Sequence, residues 1–103
     1  MNWNSLSDLA IVQEIGKRLK EYRIKKRLTQ QELAEQASVS VFSVAQIERG
    51  KAVSMTTLLP ILRVLRLLDN LELLLPDIGI SPVQLLKLKG KNPKRVRRKK
   101  TKE

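Results

Sequence analysis

An all-α fold is the class this sequence predicts, and three observations predict it. Its apolar residues are mostly Leu, Ile and Val, with only three aromatics (Trp3, Tyr22 and Phe42), four Gly and four Pro. That mixture favours a helical bundle over a sheet. The apolar residues recur three and four apart instead of alternating, the period of a helix with a buried stripe. Ser7, Thr29, Ser40, Ser54 and Ser81 each stand immediately before such a stretch, where a side-chain oxygen can accept a bond from an orphan first-turn N–H. With 103 residues, the chain supplies one small core.

Residues 1–7 read as an N-terminal arm. Ser7 is the N-cap of a first helix over about residues 8–27, and Asp8 suits the positive end of its dipole. Leu9, Val12, Ile15, Leu19 and Tyr22 form its apolar stripe. Trp3 precedes it, either stapling the terminus or joining a dimer interface. Thr29 with Glu32 forms a capping box for a second helix that ends near Ala37 and buries Leu33 and Ala34. Ser38-Val39-Ser40 is the turn. A third helix follows over about 41–48, buries Val44 and Ile47, and stops at Gly50.

Ser54 caps a fourth helix over about 55–68. Pro60 lies past its first turn and removes a hydrogen bond, so a bend is expected there. Leu58, Ile61, Leu65 and Leu68 make one stripe, while Val64, Leu67, Leu71 and Leu74 make another. A helix apolar on two faces in so small a domain is expected to meet a second chain. Asp69 caps a short fifth helix ending at Pro76. A linker with a short extra helix, from Ser81-Pro82 to about Leu88 and ended by Gly90, occupies 77–90. Residues 91–103 contain almost no apolar side chain and read as a basic disordered tail. The central domain is thus 8–76.

Composition excludes several chemistries. The chain has no Cys and no His, so disulfides, thiolate zinc sites and Cys- or His-based catalysis are unavailable. No carboxylate cluster suggests a pocket, so no enzyme, metal or cofactor is expected. MNWNSLSDLA lacks a basic region followed by an apolar run, so no signal peptide is expected. Met55 to Leu75 is interrupted by Pro60, Arg63, Arg66, Asp69 and Glu72, so no membrane contact is expected. A cytoplasmic, nucleoid-associated protein fits these features. The net charge of +11 is unevenly placed: residues 1–86 carry eleven Lys/Arg against nine Asp/Glu, and residues 87–103 carry ten against one. Such a tail suits a polyanion, nucleic acid first among them.

Thr29 to Gly50 carries the sharpest signal. Two helices of about eight residues meet across a short turn, which requires small residues between them, and Ala34 and Ala37 supply these. Val39, Val44 and Ile47 hold the second helix on the core. Val41, Phe42, Ser43, Gln46 and Arg49 then face outward from a helix that can enter a major groove. Arg49 and Lys51 follow that helix and are phosphate candidates. Lys17, Arg18, Lys20, Lys25, Lys26 and Arg27 read as a solvated face.

From Ile15 to about Leu68 the chain resembles the Cro/C1 (Xre) family of helix-turn-helix regulators. The matching residues are GKRLKEYR, Leu28-Thr29-Gln30, Glu32-Leu33-Ala34, Val39-Ser40, Ile47-Glu48-Arg49-Gly50, and Ser54 with Thr57-Leu58-Leu59. The resemblance implies a five-helix lambda-repressor-like DNA-binding domain, dimeric on double-stranded DNA, whose third helix reads bases. It implies a buried ion pair between Arg23 and Glu48 that orients this helix, and a phosphate contact at Gln30. It places Ser40, Val41, Phe42, Ser43 and Gln46 at base-facing positions. Two departures stand out. Ser38 occupies a turn position where the family usually has Gly at positive φ, at a strain of about 1 kcal/mol. Val41 and Phe42 replace polar readers; they can meet thymine methyls but cannot donate to guanine. Gln46, which can bond adenine in bidentate fashion, is then the main polar reader. For Phe42, a core or dimer contact is the competing role.

LLDNLELLLPD, SPVQLLKLKGK and the basic tail are similar to small Xre-type regulators of the HipB-like antitoxin type, found beside HipA-like kinase toxins. That implies a homodimeric, autoregulating repressor with a toxin partner, and a dimer surface at Val64, Leu67, Leu71 and Leu74. Two other classes remain open. One is a non-specific basic nucleic-acid binder; the other is a protein-interaction module with no DNA role.

Overall fold

The computed structural model describes residues 1–79. Its helices are α1 (Asp8–Lys25), α2 (Gln30–Ala37), α3 (Val41–Glu48), α4 (Met55–Val64) and α5 (Leu71–Leu74), with 3-10 turns at Trp3–Ser5 and Leu68–Asn70. Among the described residues there is no strand, so the all-α class expected from sequence is the class observed. The helix expected from Ser81 to Leu88, its stop at Gly90 and the basic tail lie outside the described residues.

The first four helices begin as their capping residues dictate. Ser7, Thr29, Ser40 and Ser54 are the N-caps, each in extended backbone and each accepting a first-turn N–H. At α2 the box is complete: Thr29 Oγ1 accepts from Glu32 N–H at 3.0 Å and Glu32 Oε1 accepts from Thr29 N–H at 2.8 Å.

The helix ends share one device that the sequence reading recognised only at Gly50 and Ser38. After each of α1 to α4 a left-handed residue reverses the chain: Arg27 (φ 60), Ser38 (φ 57), Gly50 (φ 84) and Arg66 (φ 63). The next residue's N–H reaches back to a carbonyl five positions earlier, as Leu28 to Arg23, Val39 to Ala34, Lys51 to Gln46 and Leu67 to Leu62. This is the Schellman motif. It corrects two boundaries. Helix 1 stops at Lys25 because Arg27 is left-handed, and helix 4 stops at Val64, short of the expected 68, because Arg66 is. α4 runs through Pro60; the acceptor left over by the missing N–H belongs to Thr56, which is exposed and open to water. Asp69 lies inside the 3-10 turn, and α5 spans one turn that ends at Leu74, before Pro76.

Met1–Asn70 form one compact unit, and the chain from Leu71 belongs to a second. In the first unit α2 packs against α3 and α4, and α1 packs against α3. The core is Leu19, Leu33, Ala34, Ala37, Val44, Ile47, Ile61 and Leu65, with Val39, Val53, Leu58, Leu62, Val64 and Leu67 packed at its edge.

The stripe expected on α1 is largely misplaced. Leu9, Ile15 and Tyr22 are exposed, and the row that faces the core is Val12, Gly16, Leu19 and Arg23, half-buried at Val12 and buried at the rest. Trp3 staples the N-terminal turn onto α1, its ring 4.8 Å from the Arg18 guanidinium. Arg18 is itself held by Glu14 at 2.9 Å. In the second unit, Leu73, Leu74, Leu75 and Ile78 are exposed. Among the described residues no helix is long and apolar enough to cross a membrane.

Candidate nucleic-acid interface

The site is built on α2, the Ser38–Ser40 turn and α3. Ala34 and Ala37 are buried where the two helices approach each other. Ser38 takes the left-handed conformation at φ 57, ψ 40, so the turn is made at the position where the missing glycine had suggested strain. Ser40 then caps α3: its Oγ accepts from Ser43 N–H at 3.0 Å and donates to Ser43 Oγ at 2.9 Å.

α3 is anchored on one side only. Val44 is fully buried and Ile47 is 4% exposed. At about 100° per residue, the face opposite this pair carries Phe42, Gln46 and Arg49, one turn apart, with Ser43 and Ala45 on the flanks. Phe42 is 65% exposed and Val41 46%; Ser43 and Gln46 are half-buried, and Ser40 and Arg49 are exposed. Phe42 therefore belongs to no core, which removes one of its two competing roles. Arg49 Nη2 donates to Gln46 Oε1, so these two outward residues present a joined polar surface. Lys51, past the helix end, is exposed.

The orientation of α3 is held by a polar cluster. Arg23 Nε donates to Glu48 Oε2 at 2.7 Å and Arg23 Nη2 to Glu48 Oε1 at 3.1 Å, a bidentate pair. The Glu48 side chain is only 3% exposed and that of Arg23 10%; the remaining exposure of Glu48 lies in its backbone. Arg23 Nη1 also donates to the Leu28 carbonyl at 2.8 Å. Gln30 Nε2 donates to Glu48 Oε1 at 3.0 Å. One carboxylate at the end of α3 thus collects donors from α1 and from the first residue of α2. Resemblance pointed to the Arg23–Glu48 pair; nothing in the sequence pointed to Gln30 as its third member.

Gly16 is a further positioning residue that the sequence reading missed. A Cβ there would lie inside contact distance of the Ile47 carbonyl oxygen, 3.2 Å from its carbon and 3.3 Å from Gly50 N. The glycine lets α1 meet the last turn of α3 at backbone distance. Its signal was available: an isolated Gly inside a helical pattern usually has a packing reason. Gly50, at positive φ, is tied to the same place, since a Cβ on it would lie 2.7 Å from Gln13 Cγ.

Two helices joined by a tight left-handed turn, the second anchored on one face and free on the other, are the geometry of a helix-turn-helix. A family model described as a helix-turn-helix domain matches residues 14–75. The chain belongs to the helix-turn-helix domain family. No curated protein matches it. Membership makes this helix-turn-helix chain a DNA-binding protein, of a family that is typically non-enzymatic. The match takes in the Arg23–Glu48–Gln30 cluster, Gly16 and the whole of α2 and α3. Val64 and Leu67 lie at the core edge, Leu71 is half-buried, and Leu74 is 70% exposed.

Proposed function

We propose that this helix-turn-helix protein is a sequence-specific transcriptional regulator of the Cro/C1 (Xre) type, a homodimeric repressor of a palindromic operator. The observation that carries this reading is the one-sided anchoring of α3. Val44 and Ile47 are buried, the Arg23–Glu48–Gln30 cluster fixes the helix end, and Phe42, Gln46 and Arg49 stand on the free face. A rigid helix with free outward side chains can read base edges in the major groove. Ser40, Val41, Phe42, Ser43 and Gln46 are the reading residues, and Arg49 and Lys51 contact phosphate. Gln30 keeps two donors for its phosphate contact, the second Nε2–H left over by its one bond to Glu48 and the backbone N–H at the first position of α2, which has no partner within the helix. Repression follows from occupying a promoter in the cytoplasm and requires no chemistry.

Two copies of α3 would sit roughly 34 Å apart on successive major grooves. Leu74 and its exposed neighbours Leu73 and Leu75 are the apolar surface that supports self-association; Leu74→Glu should convert a dimer to a monomer by light scattering. The C-terminal sequence resemblance supports a HipB-like antitoxin role with a HipA-like kinase toxin as second partner. The net charge of +9 in residues 87–103 supports added non-specific phosphate contact. Deleting residues 91–103 should then flatten the salt dependence of binding without changing sequence preference.

The deciding experiment is footprinting and titration on the promoter of the protein's own gene against random duplex. A protected pseudo-palindrome bound roughly a thousandfold or more tighter than random DNA is the expected result. Equal affinity for both would replace the repressor with a non-specific binder.

A further inference from the structure

The free face of α3 is apolar where a reading helix meets the base edges. Phe42 is 65% exposed and Val41 46%, at the first two positions of the helix. The polar groups beside them are partly committed: Ser40 Oγ serves Ser43 through both N–H and hydroxyl, and Gln46 Oε1 is taken by Arg49. The side chains at the N-terminal end of the helix thus offer few free hydrogen-bonding groups and much exposed hydrocarbon. In the major groove the base edges offer donors and acceptors throughout, and thymine adds one apolar feature, the methyl on C5.

We propose that Phe42, flanked by Val41, reads the C5-methyl group of a pyrimidine in the major groove. In ordinary DNA that group belongs to thymine; in methylated DNA 5-methylcytosine presents the same methyl at the same ring position. The inference rests on α3 being the base-reading helix and names what its apolar end selects. Phe42 then provides specificity without a hydrogen bond, and the Gln46–Arg49 pair one turn further on supplies the polar contacts.

The test uses the full chain and a random duplex library made with thymidine triphosphate, from which bound duplexes are enriched and sequenced. Each enriched half-site is remade with deoxyuridine for thymine at one position at a time, which deletes the methyl and leaves the pairing intact. At one or two positions the affinity should fall about fourfold per methyl removed, the burial of one such group. That loss should vanish in Phe42→Ala and persist in part in Phe42→Leu. The ring is exposed, so both variants should melt with the wild type. At the sensitive positions cytosine and 5-methylcytosine are then compared. Recovery with 5-methylcytosine assigns the contact to the methyl on either pyrimidine, and loss with deoxyuridine but no recovery confines it to thymine. Tight binding of enriched sequences with deoxyuridine neutral at every position would overturn the methyl contact and leave DNA reading intact. So would an undiminished deoxyuridine effect in Phe42→Ala. Failure to enrich any sequence would remove α3 as a reader, and the methyl contact with it.

Discussion

Gly16→Ala sets two effects of opposite sign against each other. In an exposed helix interior the change should stabilise, since Ala is favoured over Gly by about 1 kcal/mol. Here the added methyl would sit inside contact distance of the Ile47 carbonyl oxygen, with the Ile47 carbon at 3.2 Å and Gly50 N at 3.3 Å. All three obstacles are backbone, so no side-chain rotation relieves them. α1 must retreat from α3 by something on the order of 1 Å to restore normal contact. Forced overpacking of this kind costs about 1–3 kcal/mol, occasionally more. With only backbone in the way the clash belongs at the upper end, about 3 kcal/mol, and less the helix gain of about 1 kcal/mol the net loss is about 2 kcal/mol. In a domain of this size that lowers Tm by roughly 10 °C. Thermal and urea melts followed by circular dichroism give the comparison, with Lys17→Ala, an exposed neighbour on α1, as a control expected within about 0.5 kcal/mol of wild type. The retreat would also loosen the Arg23–Glu48 bonds two turns along, so DNA affinity should fall at temperatures where the variant is still folded. A Gly16→Ala protein that melts higher than wild type would refute the close approach of α1 and α3.

Other substitutions probe the same frame. Glu48→Ala leaves the Arg23 guanidinium buried without its carboxylate and Gln30 without its acceptor, at an expected loss of about 3–5 kcal/mol in urea denaturation; joint replacement Arg23→Met with Glu48→Met should recover most of it. Ser38→Gly relieves a left-handed residue at φ 57 and should raise stability by up to about 0.5 kcal/mol, much of the strain relieved being offset by a more flexible unfolded chain. Arg27→Gly and Arg66→Gly, at φ 60 and φ 63, should do the same, and the three gains should add in a combined variant because the sites share no partner. Thr29→Ala removes the capping box of α2 and should cost about 1 kcal/mol by thermal melt.

The starts of α1 to α4 were legible in this sequence, whereas the ends of α1 and α4 were not, for a physical reason. A start needs a side chain that accepts a hydrogen bond, so Ser7, Thr29, Ser40 and Ser54 announce α1 to α4 by residue type. An end needs a backbone conformation, and a residue type announces it only when glycine supplies it. At Gly50 it does. At Arg27 and Arg66 an ordinary residue is held left-handed by the bonds from Leu28 to Arg23 and from Leu67 to Leu62, so an apolar period alone carries the helix past its stop. The only written trace is the apolar residue that follows: Leu28, Val39 and Leu67 are all half-buried, as the apolar contact of that motif requires.

The misplaced stripe of α1 has a related cause. A search for apolar residues at helical spacing favours Leu9, Ile15 and Tyr22 because they are large, and passes over Gly16 and Arg23 because they are not apolar. Yet those two, with Leu19 and Val12, are what face the rest of the domain. Gly16 is there because α3 comes to backbone distance, and Arg23 because the end of α3 brings a carboxylate. Both are demands made by a partner helix that lies 25 or more residues away in sequence, at Glu48 and Ile47, and neither can be read from α1 alone. The same logic separates the frame of the interface from its reading surface. The frame obeys packing and capping rules internal to the chain. The outward residues Phe42, Gln46 and Arg49 are free of those rules, so under the proposed function what selects them is the groove they would meet. Under that proposal an exposed phenyl ring on this face carries information about the DNA, and the methyl-deletion experiment tests it.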